Sequence, residues 1–348
     1  MTAATSATAR ASHMLTEAGQ SARIVRTQFA HNAESLAALG DTLRSLAPFA
    51  VVTCGRGSSD HAATFARYLA ETRLRLLTAS VSPSVSSVYG VSQDLRRCVF
   101  LAMSQSGASP DLLAAADSAA RAGALVVALV NAADSPLARA AHHVVPLHAG
   151  TEHSVAATKS YIATLAASLQ LVAAWGQDSG LAHELAVVPD ALERAWSLDW
   201  SPAVDALKDA DHLFVIGRGL GLSVAQEAAL KLKETCGLHA EAFSGAELRH
   251  GPMALIARGV PALVFIQDDP TRAGLEALAR DLLAAGVTVI VAGGRVQGAL
   301  NLENAAVDAV IAPLAHALAF YRLADTLAAA RGLDPDRPPL LRKVTETR

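Results

Sequence analysis

Short apolar runs alternate along the chain with longer stretches in which alanine and leucine recur at helical spacing. In the first half, runs at 49–54 (FAVVTC), 75–79, 98–103 (CVFLAM), 124–130 and 143–147 predict strands, and periodic stretches at 60–72, 110–122 and 158–175 predict helices. In the second half, strands are expected at 212–216 (HLFVI), 261–266 (PALVFI), 287–292 (VTVIVA) and 307–312, with helices at 223–236, 271–285 and 314–331. Strand and helix in alternation imply parallel pairing through right-handed crossovers. The predicted class is α/β.

The halves also match each other. Gly55 of CGRGSS and Gly217 of IGRGLG stand 162 positions apart, as do Gln105 and Gln267, each just after a predicted strand. Gly123 opens GALVVAL and Gly286 opens GVTVIVA, 163 positions apart. Three matches in register argue for tandem copies of one unit, hence two doubly wound, flavodoxin-like parallel sheets. The expected organisation is an N-terminal tail and helix over 1–34, a first repeat over 35–185 and a second over 200–348. The first dozen residues are small and polar and read as a frayed tail, and 13–30 has a loose helical pattern. A linker is expected within 177–202, where Pro189, Asp199, Trp200 and Pro202 interrupt periodicity. Trp196 and Trp200 are expected to pack rather than to bind a ligand.

Composition narrows the function. Of 348 residues, 52% are hydrophobic and 18% charged, enough apolar material for full cores. The net charge of −3 lacks the basic excess of a nucleic-acid binder. Apolar runs such as 124–130 fall far short of the roughly 20 residues of a spanning helix, and MTAATSATARASHM has no signal-peptide core, so no membrane partner is expected. Cys54, Cys98 and Cys236 are far apart and read as reduced core residues of a cytoplasmic protein.

Ligands of doubly wound sheets sit outside the carboxyl ends of the strands. The turn after 98–103 reads Ser104-Gln105-Ser106-Gly107-Ala108-Ser109-Pro110, three hydroxyls and a glycine at the start of a helix. Hydroxyls, backbone N–H groups and the positive helix end favour an anion such as a phosphate, although ordinary N-capping would use serine equally well. The duplicate turn, Gln267-Asp268-Asp269-Pro270, carries two carboxylates that would repel one, so only the first repeat is expected to hold it. Gly55-Arg56-Gly57-Ser58-Ser59-Asp60 also joins a strand to a helix, and Ser58 or Ser59 would line the same pocket. GxGxxG and Walker patterns are absent, which disfavours nucleotides.

In SVAQEAALKLKETC, Glu227, Lys231 and Glu234 share one helical face, opposite Ala225, Ala228, Ala229 and Leu232. The bland reading is a solvated polar face with one ion pair. Two features favour chemistry. The helix starts at a Gly-rich turn on the sheet's carboxyl edge, and a second polar segment follows, with His239, Glu241, Ser244, Glu247, Arg249 and His250. Carboxylates, an amine and imidazoles gathered together suit proton transfer. HExxH, CxxC and GxSxG are absent, so neither a metal site nor a serine hydrolase is expected.

SQSG after a strand, AGTEHSVAATK at 149–159, ALKLKE at 229–234, HAEAFSGAELRHGP at 239–252 and LLRKVT at 340–345 together resemble the isomerase domain of glucosamine-6-phosphate synthase. The likeness is greatest to its stand-alone relatives with two SIS (sugar isomerase) domains, such as glucosamine-6-phosphate deaminases. It runs from about Met14 to the C-terminus; the ALKLKE and HAEAFSGAELRHGP pair is highly specific, whereas SQSG is shared by many SIS proteins. The resemblance implies a sugar 6-phosphate substrate, no cofactor, and a homodimer with a shared site. It assigns phosphate binding to Ser104, Gln105, Ser106 and Ser109, with Ser58 or Ser59 and Val155 nearby. It makes Glu234 the base that moves a proton between C1 and C2, and His250 the ring-opening histidine, reaching across from the other subunit. Glu227 and Lys231 become supporting polar residues, and Lys343, with Arg342 as the competing alignment, the lysine that forms an imine with the open sugar. GRGSS departs from the synthase's CGTS, and Ala157 replaces a serine.

The chain opens MTAATS and the first repeat follows almost at once, so a glutaminase with its N-terminal cysteine is not expected. The reaction expected is the reverse, amino-sugar-consuming one: ring opening of glucosamine 6-phosphate, isomerisation to the ketose imine, and release of ammonia and fructose 6-phosphate. The alternatives are a galactosamine-6-phosphate deaminase/isomerase, a fructosamine-6-phosphate deglycase, or a non-catalytic sugar-phosphate-binding regulator.

Overall fold

A computed structural model describes residues 11–343. Residues 1–10 of the expected tail, and 344–345 of the LLRKVT motif, lie outside the described residues. The helical pattern at 13–30 becomes α1 (His13–Ala18) and α2 (Ser21–Leu46), and α2 continues without a break past residue 34. The first sheet is built from β1 (Ala50–Cys54), α3 (Ser58–Leu69), β2 (Leu77–Ser80), α4 (Ser84–Ser87), β3 (Cys98–Ser104), α5 (Pro110–Arg121), β4 (Leu125–Val130), α6 (Pro136–Ala140) and β5 (His143–Pro146). All pairings are parallel, in the order β2-β1-β3-β4-β5. β1 and β3 are buried at every position, which is why they read as unbroken apolar runs.

The expected linker is mostly helix. After α7 (Lys159–Gly176) comes α8 (Ser179–Ser197), with Pro189 inside it, then α9 (Pro202–Leu207). Asp178 caps α8 by accepting from the Leu181 N–H at 2.9 Å. The tryptophans pack: Trp200 is buried against Phe265, and the Arg322 guanidinium lies over the Trp196 ring.

The second sheet comprises β6 (His212–Gly217), α10 (Gly221–Cys236), β7 (His239–Ser244), β8 (Ala262–Phe265), α11 (Arg272–Ala284), β9 (Val289–Ala292) and β10 (Leu300–Asn301), followed by α12 (Ala312–Ala330). Its order, β7-β6-β8-β9-β10, repeats that of the first sheet. Two expectations need correction. The run at 307–312 is no strand: Asp308 turns the chain by accepting from the Val310 N–H at 2.8 Å, and Ile311 leads into α12. The strands not anticipated are both edges of this sheet: β7, half-exposed, where polar and small residues alternate, and the two-residue β10. One hydrophobic core runs through both repeats, with α10 packed between α3 and α12. This packing brings the carboxyl edge of the first sheet against the stretch of α10 from Glu227 to Glu234.

Candidate active site

In the first sheet the strand order reverses direction between β1 and β3, and the loops that leave these two strands form a crevice. A cleft of about 350 Å³ opens there. One wall is the turn after β3. Ser104 Oγ accepts from the Gly107 N–H at 2.9 Å, and Ser106 Oγ from the Ala108 N–H at 3.3 Å, which curls the backbone under the helix start. Gly107 has φ +62°, and a Cβ on it would lie 2.1 Å from Ser135 Oγ, so the turn requires glycine. Ser109 is the N-cap of α5 and Pro110 its first residue, yet the Ser109 hydroxyl makes no capping bond. That argues against the capping explanation for this serine and leaves its hydroxyl facing the cleft.

The Arg56-Gly57-Ser58-Ser59 turn lines the same cleft. Its serines are not equivalent. Ser58 donates to Glu227 Oε1 at 3.1 Å, whereas among the described residues Ser59 makes no side-chain bond of that kind. Arg56 reaches the buried Asp111 carboxylate through Nε at 2.9 Å and Nη2 at 2.7 Å, which places a guanidinium at the first turn of α5.

Helix α10 supplies the opposite wall. The solvated-face reading of Glu227, Lys231 and Glu234 does not hold, because Glu227 and Lys231 are fully buried. Glu227 accepts from Ser58, from Tyr321 Oη at 3.2 Å and from His61 Nδ1 at 3.1 Å, and Lys231 Nζ stands 3.5 Å away. Burial alone would push the Glu227 carboxyl up; Lys231, His61 and Ser58 together hold it below its ordinary value. Lys231 would likewise be pushed down by burial, but Glu227 and Glu234 keep its ammonium charged. Lys231 also forms a direct ion pair with Glu234, whose partly buried carboxylate lines the cleft. Burial, followed by the charge of Glu227, raises the Tyr321 phenol well above its usual range, so it serves as a neutral donor.

The third wall is Lys343, and its alternative Arg342 lines the cleft beside it. Lys343 Nζ donates to Glu152 Oε2 at 3.0 Å and to the Ser154 carbonyl at 2.6 Å. Glu152 is buried and also gathers the Thr158 and Ser160 N–H groups and the Ser160 hydroxyl. Glu17 of α1 braces this loop by accepting from the His153 and Ser154 N–H groups. Val155 and Ala157 complete the lining.

A model of the SIS domain matches residues 50–174 and 206–321. The chain belongs to the SIS domain family. Its two matched segments coincide with the two parallel sheets. A candidate phosphosugar isomerase from Silicibacter pomeroyi is similar in structure, with a TM-score of 0.89 and 42% identity over 93% of this chain and 100% of that one. The glutamine–fructose-6-phosphate aminotransferase (isomerizing) of Methanothermobacter thermautotrophicus is 36% identical over 304 residues, 84% of this chain and 50% of that protein. This SIS chain therefore spans half the length of that curated relative. Glucosamine-6-phosphate deaminase from Thermotoga maritima shares the fold, with a TM-score of 0.78 at 21% identity over 97% of this chain and 100% of that one.

The second SIS repeat has no equivalent seat. Asp269 turns its carboxylate into its own turn, accepting from the Thr271 N–H at 2.8 Å and from Gln267 Nε2 at 3.1 Å. An internal carboxylate thus fills the place where an anion would bind. The polar segment after α10 also disperses rather than gathering at the cleft. His239 sits on β7 against His212, Arg249 pairs with Asp281 on the surface, and Glu241, Glu247 and His250 are exposed and do not line the cleft. Arg56, His61, Glu152 and Tyr321 were not singled out from sequence. Arg56 and His61 lay within reach, in or just after the Gly-rich turn, and Glu152 is the one acidic residue of the AGTEHSVAATK motif. Tyr321 had no local signal: it arrives from α12, 94 residues beyond Glu227.

Proposed function

We propose that this SIS protein is a hexosamine-6-phosphate deaminase/isomerase that converts glucosamine 6-phosphate and water to fructose 6-phosphate and ammonia. The observation that carries the reading is one cleft with a serine-lined helix start on one wall and a carboxylate–ammonium pair on the other. The phosphate is seated on Ser104, Gln105, Ser106, Ser109 and Ser59, with the Arg56 guanidinium beside it. Ser58 serves Glu227 instead. Anchoring the phosphate provides binding energy remote from the reacting carbons and positions them. Glu234 takes the C2 proton of the open-chain amino aldose and returns a proton to C1. The resulting imine at C2 adds water and expels ammonia, leaving the ketose. Lys343 faces the same cleft, where its amine meets the sugar carbonyl.

Ring opening calls for an acid near the ring oxygen, a task suited to imidazole. His250 is exposed in its own chain, which is compatible with delivery from a second copy in a homodimer. A fully active monomer in sedimentation analysis would remove His250 from that role. The substrate assignment is tested by incubating the protein separately with glucosamine 6-phosphate, galactosamine 6-phosphate and a fructosamine 6-phosphate. Ammonia and ketose released from the first, in equal amounts, support the reading; turnover of only one of the others would reassign the substrate.

A further inference from the structure

Among the described residues, Oε2 of the buried Glu227 has one hydrogen-bond partner, His61 Nδ1 at 3.1 Å. Oε1 is shared by Ser58, Tyr321 and, at 3.5 Å, Lys231. His61 belongs to α3 of the first repeat and Glu227 to α10 of the second, so this contact fastens the helix that follows the Gly-rich turn to the helix that carries Glu234. We propose that His61 is a positioning residue for proton transfer. By donating its Nδ1–H to Oε2, it fixes how the Lys231 ammonium is divided between Glu227 and Glu234. The inference rests on Glu234 being the proton carrier.

The physical argument concerns one cation between two carboxylates. Lys231 is in direct contact with Glu234 and stands off from Glu227. A buried carboxylate that loses a donor attracts the nearest cation more strongly, because the unmet charge is costly in a low-dielectric site. Lys231 and Glu227 lie four residues apart on one helix, so a side-chain rotation closes their gap without moving the backbone. Closing it withdraws Lys231 from Glu234 and frees the Glu234 carboxylate to rotate away from the sugar carbons. The serine turn after β3 is not part of this chain of contacts, and Ser58 holds the other oxygen. Loss of His61 therefore affects the chemical step more than substrate binding.

The test compares wild type, His61→Leu and His61→Asn. Leucine keeps the bulk without a donor, whereas asparagine places an amide nitrogen close to the position of Nδ1. Steady-state kcat and KM with glucosamine 6-phosphate are read together with competitive inhibition by glucitol 6-phosphate, an open-chain probe. An unmade bond to a buried charge predicts a fall in kcat of roughly ten- to a hundredfold for His61→Leu. KM and the inhibition constant stay within about twofold, and His61→Asn recovers most of kcat. If His61→Leu does not fold, His61→Met, which also lacks a donor and fills the space, replaces it at this partly exposed position. An unchanged kcat in the folded variant, an equal loss in His61→Asn, or a loss carried by KM would overturn the proposal. Wild-type turnover that persists in Glu234→Gln sinks the base assignment and this inference with it. Turnover abolished in Glu234→Gln but intact in His61→Leu sinks this inference alone.

Discussion

Replacing Lys231 by methionine keeps the length of the stem and removes only the charge. The ammonium is fully buried between Glu227, itself fully buried, and Glu234. Breaking a buried ion pair by deleting one partner costs about 3–5 kcal/mol, because the other charge remains without compensation. The pH dependence is the sharper test. In the wild type the folded Glu227 carboxyl lies below its ordinary value, so its charge contributes stability above the unfolded pKa of about 4.3, and that contribution is lost as pH falls through the folded value. Without Lys231, burial, the largest influence on Glu227, dominates and lifts the folded carboxyl above its unfolded value. The sign then reverses: the variant is nearly as stable as wild type in acid and loses ground as pH rises. Melting temperatures followed by circular dichroism should show a deficit of roughly 4–7 °C at pH 8, shrinking clearly at pH 5. A deficit of the same size at both pH values, or none at either, would refute the charge-balance reasoning.

Other changes probe the remaining walls. Ser106→Asp places a carboxylate where the second repeat, 162 residues on, carries Asp268, and should raise KM for the sugar phosphate by at least about tenfold with little change in kcat; an unchanged KM would place the phosphate elsewhere. Gly107→Ala puts a Cβ 2.1 Å from Ser135 Oγ at a positive φ, so the turn must shift, and both melting temperature and phosphate affinity should fall. Glu152→Gln removes the charge that faces Lys343 while keeping the size of the group. It should cost about 1–3 kcal/mol in stability and weaken borohydride trapping of a sugar on Lys343; trapping at the wild-type level would separate Glu152 from that lysine.

Much of the fold was legible because the inner strands are buried on both faces and therefore announce themselves as apolar runs. The edge strands of the second sheet do not, whereas β2 and β5 at the edges of the first were legible as the runs at 75–79 and 143–147. β7 reads as alternating polar and small residues and was passed over, although the offset of 162 that relates Gly55 to Gly217 also carries Leu77 of β2 onto His239. The run at 307–312 misled in the opposite sense, since buried Val310 and Ile311 serve a turn and helix start rather than a strand. At the site, the serine turn and the spacing of Glu227, Lys231 and Glu234 were visible locally. Their burial was not, because it is imposed by α3 and α12 packing on α10 from distant parts of the chain. The same reason explains why Tyr321 and His61 carried no signal as partners of Glu227, and why the polar residues after α10 looked gathered although the structure spreads them along an edge strand and a surface turn.

The most direct test follows the proton. Wild type and Glu234→Gln are incubated with glucosamine 6-phosphate in deuterated water, and ammonia, fructose 6-phosphate and deuterium at C1 are measured together. The account predicts equal ammonia and ketose with deuterium entering C1 in the wild type, and neither product from a variant that still binds glucitol 6-phosphate. Ammonia released by Glu234→Gln at the wild-type rate, or ammonia without ketose in the wild type, would contradict it.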